Sequence, residues 1–163
     1  MIARRFPWLL SLLICGCLLL GSGLERSLAR TLPGIDPVPE RFALGQQLYL
    51  EACARCHPGL PPEVLPTQAW QILLREPDHF GATLPPLDAA SRTTIGNYLK
   101  AFSQPADEKE SKSLLVARSR SFRSLHPRVS FREPAHATTC VSCHPGAPRF
   151  DYRTLSPAWE NSP

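Results

Sequence analysis

The run Cys-x-x-Cys-His occurs twice in this chain, as Cys53-Ala54-Arg55-Cys56-His57 and as Cys140-Val141-Ser142-Cys143-His144. The two runs use four of the six cysteines in 163 residues. The spacing suits covalent haem attachment: each thiol adds to a haem vinyl group, and the adjoining histidine reaches the iron from the proximal side. One match is within the reach of accident; two in so short a chain are not. A chain with two such sites has to fold around two haems c. Zinc on Cys53, Cys56, Cys140 and Cys143 is the rival metal reading. It leaves the histidine after each pair unexplained and needs no export.

Haem c attachment takes place outside the bacterial cytoplasm, and the N-terminus carries the matching export signal. Arg4 and Arg5 form a basic n-region, Trp8 to Leu20 is almost continuously apolar, and Ser27-Leu28-Ala29 fits a small-x-small cleavage site. The apolar run is shorter than the roughly eighteen residues of an ordinary membrane span. Cleavage after Ala29 is expected, making residues 1–29 a signal peptide and 30–163 one domain in the periplasm. Membrane association then requires a retained signal, or lipidation at Cys17, where Leu18-Leu19-Leu20 looks instead like a continuing apolar core. Cleavage removes Cys15 and Cys17 with the signal.

The precursor has 18 Lys and Arg against 14 Asp and Glu. Loss of residues 1–29 removes Arg4, Arg5, Arg26 and Glu25, and haem propionates offset the small excess that remains. No basic tract interleaved with aromatics is present, so nucleic acid is not an expected partner.

Between the motifs the apolar pattern is helical. Phe42, Gly45, Leu48, Tyr49 and Ala52 predict a helix over 41–53 that carries the first motif at its C-terminal end. Pro58, Gly59, Pro61 and Pro62 stop it. Thr67 is a candidate cap for a second helix built on Ala69, Trp70, Leu73 and Leu74, ending near Pro77. Asp88 is a candidate cap for a third, with Ile95, Tyr98, Leu99 and Phe102 on one face. Residues 105–112 read as a solvated linker. Arg118 to Arg128 reads first as a solvated basic face, and second as a docking strip or a source of propionate partners. No helical lead-in precedes Cys140. The tail is proline-rich, with Phe150, Tyr152 and Trp159 available to cover the second haem. The fold class is mainly α, a small helical domain packed around two covalent haems with proline-rich loops.

The sixth iron position separates electron carriage from ligand activation. Methionine is effectively excluded, because Met1 is the only one. Three histidines lie outside the motifs: His79 in Pro77-Asp78-His79-Phe80-Gly81, His126 before Pro127, and His136 four residues before Cys140. Phe80 is placed to pack on a haem face, and Gly81 to permit close backbone approach. His79 and His126 are the leading distal ligands, with His136, a lysine or an open position as alternatives. Hydrogen bonds from His57 and His144 to backbone carbonyls are expected to strengthen both as iron donors.

With these residues in place the chain resembles the dihaem cytochrome c family of bacterial periplasms. The likeness runs from Tyr49 through Cys53, Cys56 and His57 to Leu65-Pro66, Trp70, Asp78-His79-Phe80-Gly81, and the helix around Ile95, Tyr98 and Leu99. It is looser from Arg123 and His126 to Cys140, Cys143, His144 and Phe150-Asp151. The resemblance implies a cytochrome c-like domain with two low-spin bis-histidine haems and His79 and His126 as distal ligands. It also implies a small electron carrier partnered by redox proteins, such as another haem protein or a membrane b-type cytochrome. The pairing of His79 with the Cys53 site rests on chain proximity alone, and the crossed arrangement stays open.

Two haems without a substrate pocket predict electron transfer at low potential rather than enzyme activity. The alternative is a haem enzyme or small-ligand-binding protein with one open or displaceable iron. An assembly module docked through the Arg118–Arg128 strip is a third reading.

Overall fold

The computed structural model describes residues 14–15, 38–76, 78–107, 113–131 and 133–157, and of His79 the backbone only. The chain divides into two units, Met1–Pro33 and Gly34–Pro163. Within the first, Ile14 and Cys15 are exposed and helical. The basic n-region, Cys17 and the expected cleavage site lie outside the described residues. No helix among the described residues is long and apolar enough to cross a membrane.

The second unit begins with three helices. Helix α1 (Glu40–Cys53) follows Pro39 and has Glu40 in its first turn, where an acidic group suits the helix dipole. It buries Gly45 and Tyr49. After a 3-10 turn at Pro62–Val64, helix α2 (Thr67–Arg75) buries Ala69 and Trp70. Helix α3 (Ala89–Phe102) buries Ile95, Tyr98 and Leu99, and packs against both α1 and α2. Asp88 caps α3 as expected, its side chain accepting from the Ser91 amide at 2.9 Å.

Thr67 does not cap α2. It is the first helical residue, and its hydroxyl bonds the Ser103 hydroxyl at 2.8 Å while its amide donates to Gln104 O at 3.0 Å. The two ends of α2 and α3 are thereby tied, and the preceding Pro66 supplies the helix entry.

Gly45 is where α1 meets α3. A Cβ there would lie 2.6 Å from Tyr98 Cβ and 2.8 Å from Thr94 O, so only glycine lets the helices approach this closely. Tyr49 sits at the centre of the core, its ring 5.8 Å from Trp70 and 5.9 Å from Tyr98, centre to centre. Each buried polar tip finds a carbonyl: Tyr49 Oη donates to Leu60 O at 2.7 Å, and Trp70 Nε1 to Pro62 O at 2.9 Å.

Between α2 and α3 lies a two-stranded hairpin, β1 (Asp78–His79) and β2 (Ala82–Thr83), antiparallel, with His79 opposite Ala82. Its turn residues Phe80 and Gly81 have φ of 53° and 81°. Positive φ at both central positions is the turn that matches strand twist, and that is why glycine stands there. A Cβ on Gly81 would meet nothing within 4 Å among the described residues.

Downstream the chain is less regular. A 3-10 turn at Val116–Arg118 leads into helix α4 (Arg120–Leu125), capped by the Ser119 hydroxyl and anchored by buried Phe122 on the Pro62–Val64 turn. Arg118, Arg120, Arg123 and Arg128 are exposed, and Arg120 pairs with Asp107 at 3.2 Å. Two further 3-10 turns follow, Ala137–Ser142 and Ala147–Arg149. Phe150 ends the last one with φ 60° and packs 6.3 Å from the Tyr49 ring, joining the tail to the core. Trp159 lies outside the described residues.

Candidate functional site

The first motif begins on the last residue of α1. Cys53 is half-buried, Cys56 is exposed in the turn that follows, and His57 is half-buried. Burial pushes the Cys53 thiol up to about 11. His57 Nδ1 lies 2.9 Å from Pro58 O. A carbonyl only accepts, so Nδ1 carries the ring proton and Nε2 keeps the lone pair that a metal requires. The loop after His57 is held twice, by Tyr49 Oη on Leu60 O and by Tyr152 Oη on Gly59 O at 2.8 Å.

The second motif lies on a 3-10 turn, not an α-helix. His136 is exposed and works through its backbone: its amide donates to Thr139 Oγ1 at 3.1 Å, and its carbonyl accepts from that hydroxyl at 2.8 Å. The His136 carbonyl also accepts from Cys140 Sγ at 3.8 Å. The Cys143 and His144 amides close on Cys140 O at 3.3 and 2.8 Å. Burial raises the Cys140 thiol as it does that of Cys53.

His126 follows α4 directly, as its C-terminal cap. Its Nδ1 lies 2.9 Å from Phe122 O, and its ring sits 4.3 Å from the Phe122 ring centre. This again leaves Nε2 free to bind a metal. The His126 and His144 ring centres are 6.2 Å apart, with planes at 85°. A metal–imidazole nitrogen bond is about 2.0–2.1 Å, and the ring centre lies about 1.1 Å behind the nitrogen, so two imidazoles sharing one metal stand roughly 6.3 Å apart. The observed spacing matches that length.

The space beside these rings is a cavity of about 280 Å³, lined by both histidines and by Cys140 and Cys143. Its other walls are mostly apolar, including Leu60, Val64, Val116, Phe122 and Phe131, with Arg128 as a cation at the edge. Thiols, imidazoles and apolar walls converge there, as a covalent haem requires.

His144 departs from one expectation. Its Nδ1 is buried and has no hydrogen-bond partner, whereas His57 and His126 both donate to carbonyls. The Tyr152 backbone is close enough to favour the charged ring but short of hydrogen-bond geometry. Burial, and then the neighbouring His126, hold the His144 imidazole below its ordinary range, so the ring is neutral at neutral pH.

His79 flanks the hairpin turn beside exposed Phe80, and its side chain lies outside the description. Among the described residues no cluster of three or more His, Cys, Asp or Glu side chains is arranged for a bare ion. Tyr152, one of the aromatics expected to cover the second haem, lies against the His144 ring. Phe122 was not singled out as a site residue by sequence reasoning, and only its place four residues before His126 hinted at the ring contact between them.

Comparison with known proteins gives a consistent picture. The profile of the family described as dihaem cytochrome c matches residues 49–152. A crystal structure of DHC purified from Rhodobacter sphaeroides is 33% identical with a TM-score of 0.46, over 63% of this chain and 93% of that one. No curated protein matches the chain.

Proposed function

The chain belongs to the dihaem cytochrome c family, and on that premise we propose that both of its haems are low-spin, bis-histidine and low-potential. As a member of that family it carries two covalently bound haems c and acts in the periplasm as an electron carrier rather than an enzyme. Cys53, Cys56 and His57 attach and ligate the first haem; Cys140, Cys143 and His144 attach and ligate the second. His126 completes the second iron and His79 the first. The 6.2 Å spacing of the His126 and His144 rings carries this reading, since one metal–imidazole axis has that length.

Haem held this way supplies reversible one-electron chemistry. The chain's own residues set its terms. The Pro58 and Phe122 carbonyls fix the tautomers of His57 and His126, orient the rings and raise their donor strength. Val64, Val116 and Phe131 exclude water from the second site. Histidine in place of a methionine sulfur lowers the potential. Residues 1–29 serve as the export segment and 30–163 as the mature domain. Partners are redox proteins, another haem protein or a membrane b-type cytochrome among them.

Electron paramagnetic resonance (EPR) of the ferric holoprotein tests the reading. Two low-spin signals with no high-spin component are expected, and His126→Ala should convert one haem equivalent to a high-spin form that binds carbon monoxide when reduced. A high-spin component in the wild type, or an unchanged spectrum in His126→Ala, would overturn it.

A further inference from the structure

The loop Pro58-Gly59-Leu60 leaves the first motif directly after His57, and a side chain from the far end of the chain reaches it. Tyr152 Oη donates to Gly59 O at 2.8 Å, across 93 positions of sequence. The ring of the same residue lies 5.4 Å from the His144 ring, centre to centre, with planes at 54°. Its backbone is the neighbour of the unpartnered His144 Nδ1. Tyr152 thus touches the proximal histidine of the second site with its body and the histidine loop of the first with its tip.

The mount of this side chain is rigid. Asp151 is buried, and its carboxylate accepts from the Arg153 amide at 3.0 Å, the Thr154 amide at 3.1 Å and the Thr154 hydroxyl at 2.7 Å. On the other side Phe150 is fixed in a left-handed conformation, with its ring 5.9 Å from that of Tyr152. A core tyrosine that merely satisfied its hydroxyl would need neither a clamp on both sides nor a histidine against its ring.

We propose that Tyr152 is a positioning residue shared by the two haem sites, coupling the orientation of His144 to that of the loop that carries His57. The proposal rests on the bis-histidine reading above. With both haems bound, Tyr152 would pass a displacement of the His144 ring to the loop that carries His57, and the reverse, so the two centres would not titrate independently.

Tyr152→Phe keeps the ring and removes the hydroxyl. In the ferric holoprotein this variant should retain both haems, yet both low-spin signals should shift and both midpoint potentials should move in an EPR-monitored redox titration. Tyr98→Phe is the control, because the Tyr98 hydroxyl faces Gln46 and no motif residue; it should leave both signals in place. A Tyr152→Phe protein that melts earlier with both signals unmoved has lost only packing, and the proposal fails. It fails equally if a single signal moves. Should Tyr152→Phe not accumulate as holoprotein, the half-reduced wild type decides: its remaining ferric signal should sit away from its fully oxidised position, and an unmoved signal overturns the coupling. A high-spin component in the untouched wild type would instead defeat the ligand reading, before any variant is made.

Discussion

Asp88 accepts from the Ser91 hydroxyl at 2.6 Å and from the Ser91 amide at 2.9 Å, and these bonds hold its carboxyl below the usual range. The unfolded chain titrates this group near about 3.9. A depressed folded value means that the unfolded state binds more protons, so the stabilisation is present above that pH and is lost as pH falls through the folded value. Asp88→Asn keeps an acceptor for the Ser91 amide without the charge. The wild-type holoprotein should therefore melt a few degrees above Asp88→Asn at neutral pH, and the gap should close below about pH 4. Paired melts across that range measure it, and a gap that does not vary with pH would refute it. Residue chemistry of this kind is open to sequence reading, because capping and haem attachment both depend on residue type at fixed spacing. The approach of the His126 ring to that of His144 was not, although the closeness of His136 to Cys140 in sequence already placed His126 ahead of it. His136 spends its backbone on a turn, while the His126 ring lines the cavity.

The contact of α1 with α3 depends on one atom that is absent. Helix propensity alone would make Gly45→Ala about 1 kcal/mol more stable. The close approach of Tyr98 Cβ and Thr94 O opposes this, and overpacking of a tight contact costs about 1–3 kcal/mol. A lower melting temperature for Gly45→Ala holoprotein is expected; a higher one would mean that α3 moves aside freely. Helices α1 and α3 were legible in sequence because their apolar residues recur every three or four positions. The start of α2 was misread because a threonine before an apolar run looks like a cap, whereas Thr67 turns its hydroxyl to Ser103. Helix α4 was not foreseen: its six residues hold a single buried apolar side chain, Phe122, too few for a period to show. The hairpin beside His79 was missed for a related reason, since Phe80-Gly81 is far from the usual Asn-Gly or Asp-Gly of such turns.

At the scale of the molecule the buried apolar residues, among those described, are unevenly spread. Tyr49, Leu60, Val64, Leu65, Ala69, Trp70, Ile95, Tyr98 and Leu99 lie in the first part of the core, while Val116, Phe122, Ala135 and Ala147 are what the later part contributes. Haem has to supply the rest of the second site's interior, and a cofactor that binds only the folded state stabilises it. With Cys140→Ala and Cys143→Ala together, the one-haem protein should be cleaved readily by protease within 113–157 while α1, α2 and α3 survive. Uniform resistance along the chain would show that the second part folds without its haem. On the proposed ligation of the second iron by His126 and His144, the near-right angle between their planes also has a magnetic consequence. Crossed imidazoles act almost equally on the two iron d orbitals of π symmetry and leave them nearly degenerate, so unquenched orbital motion makes the ferric centre strongly anisotropic. The second iron should then announce itself by one isolated feature at unusually low field, a signature set by the dihedral angle between two rings.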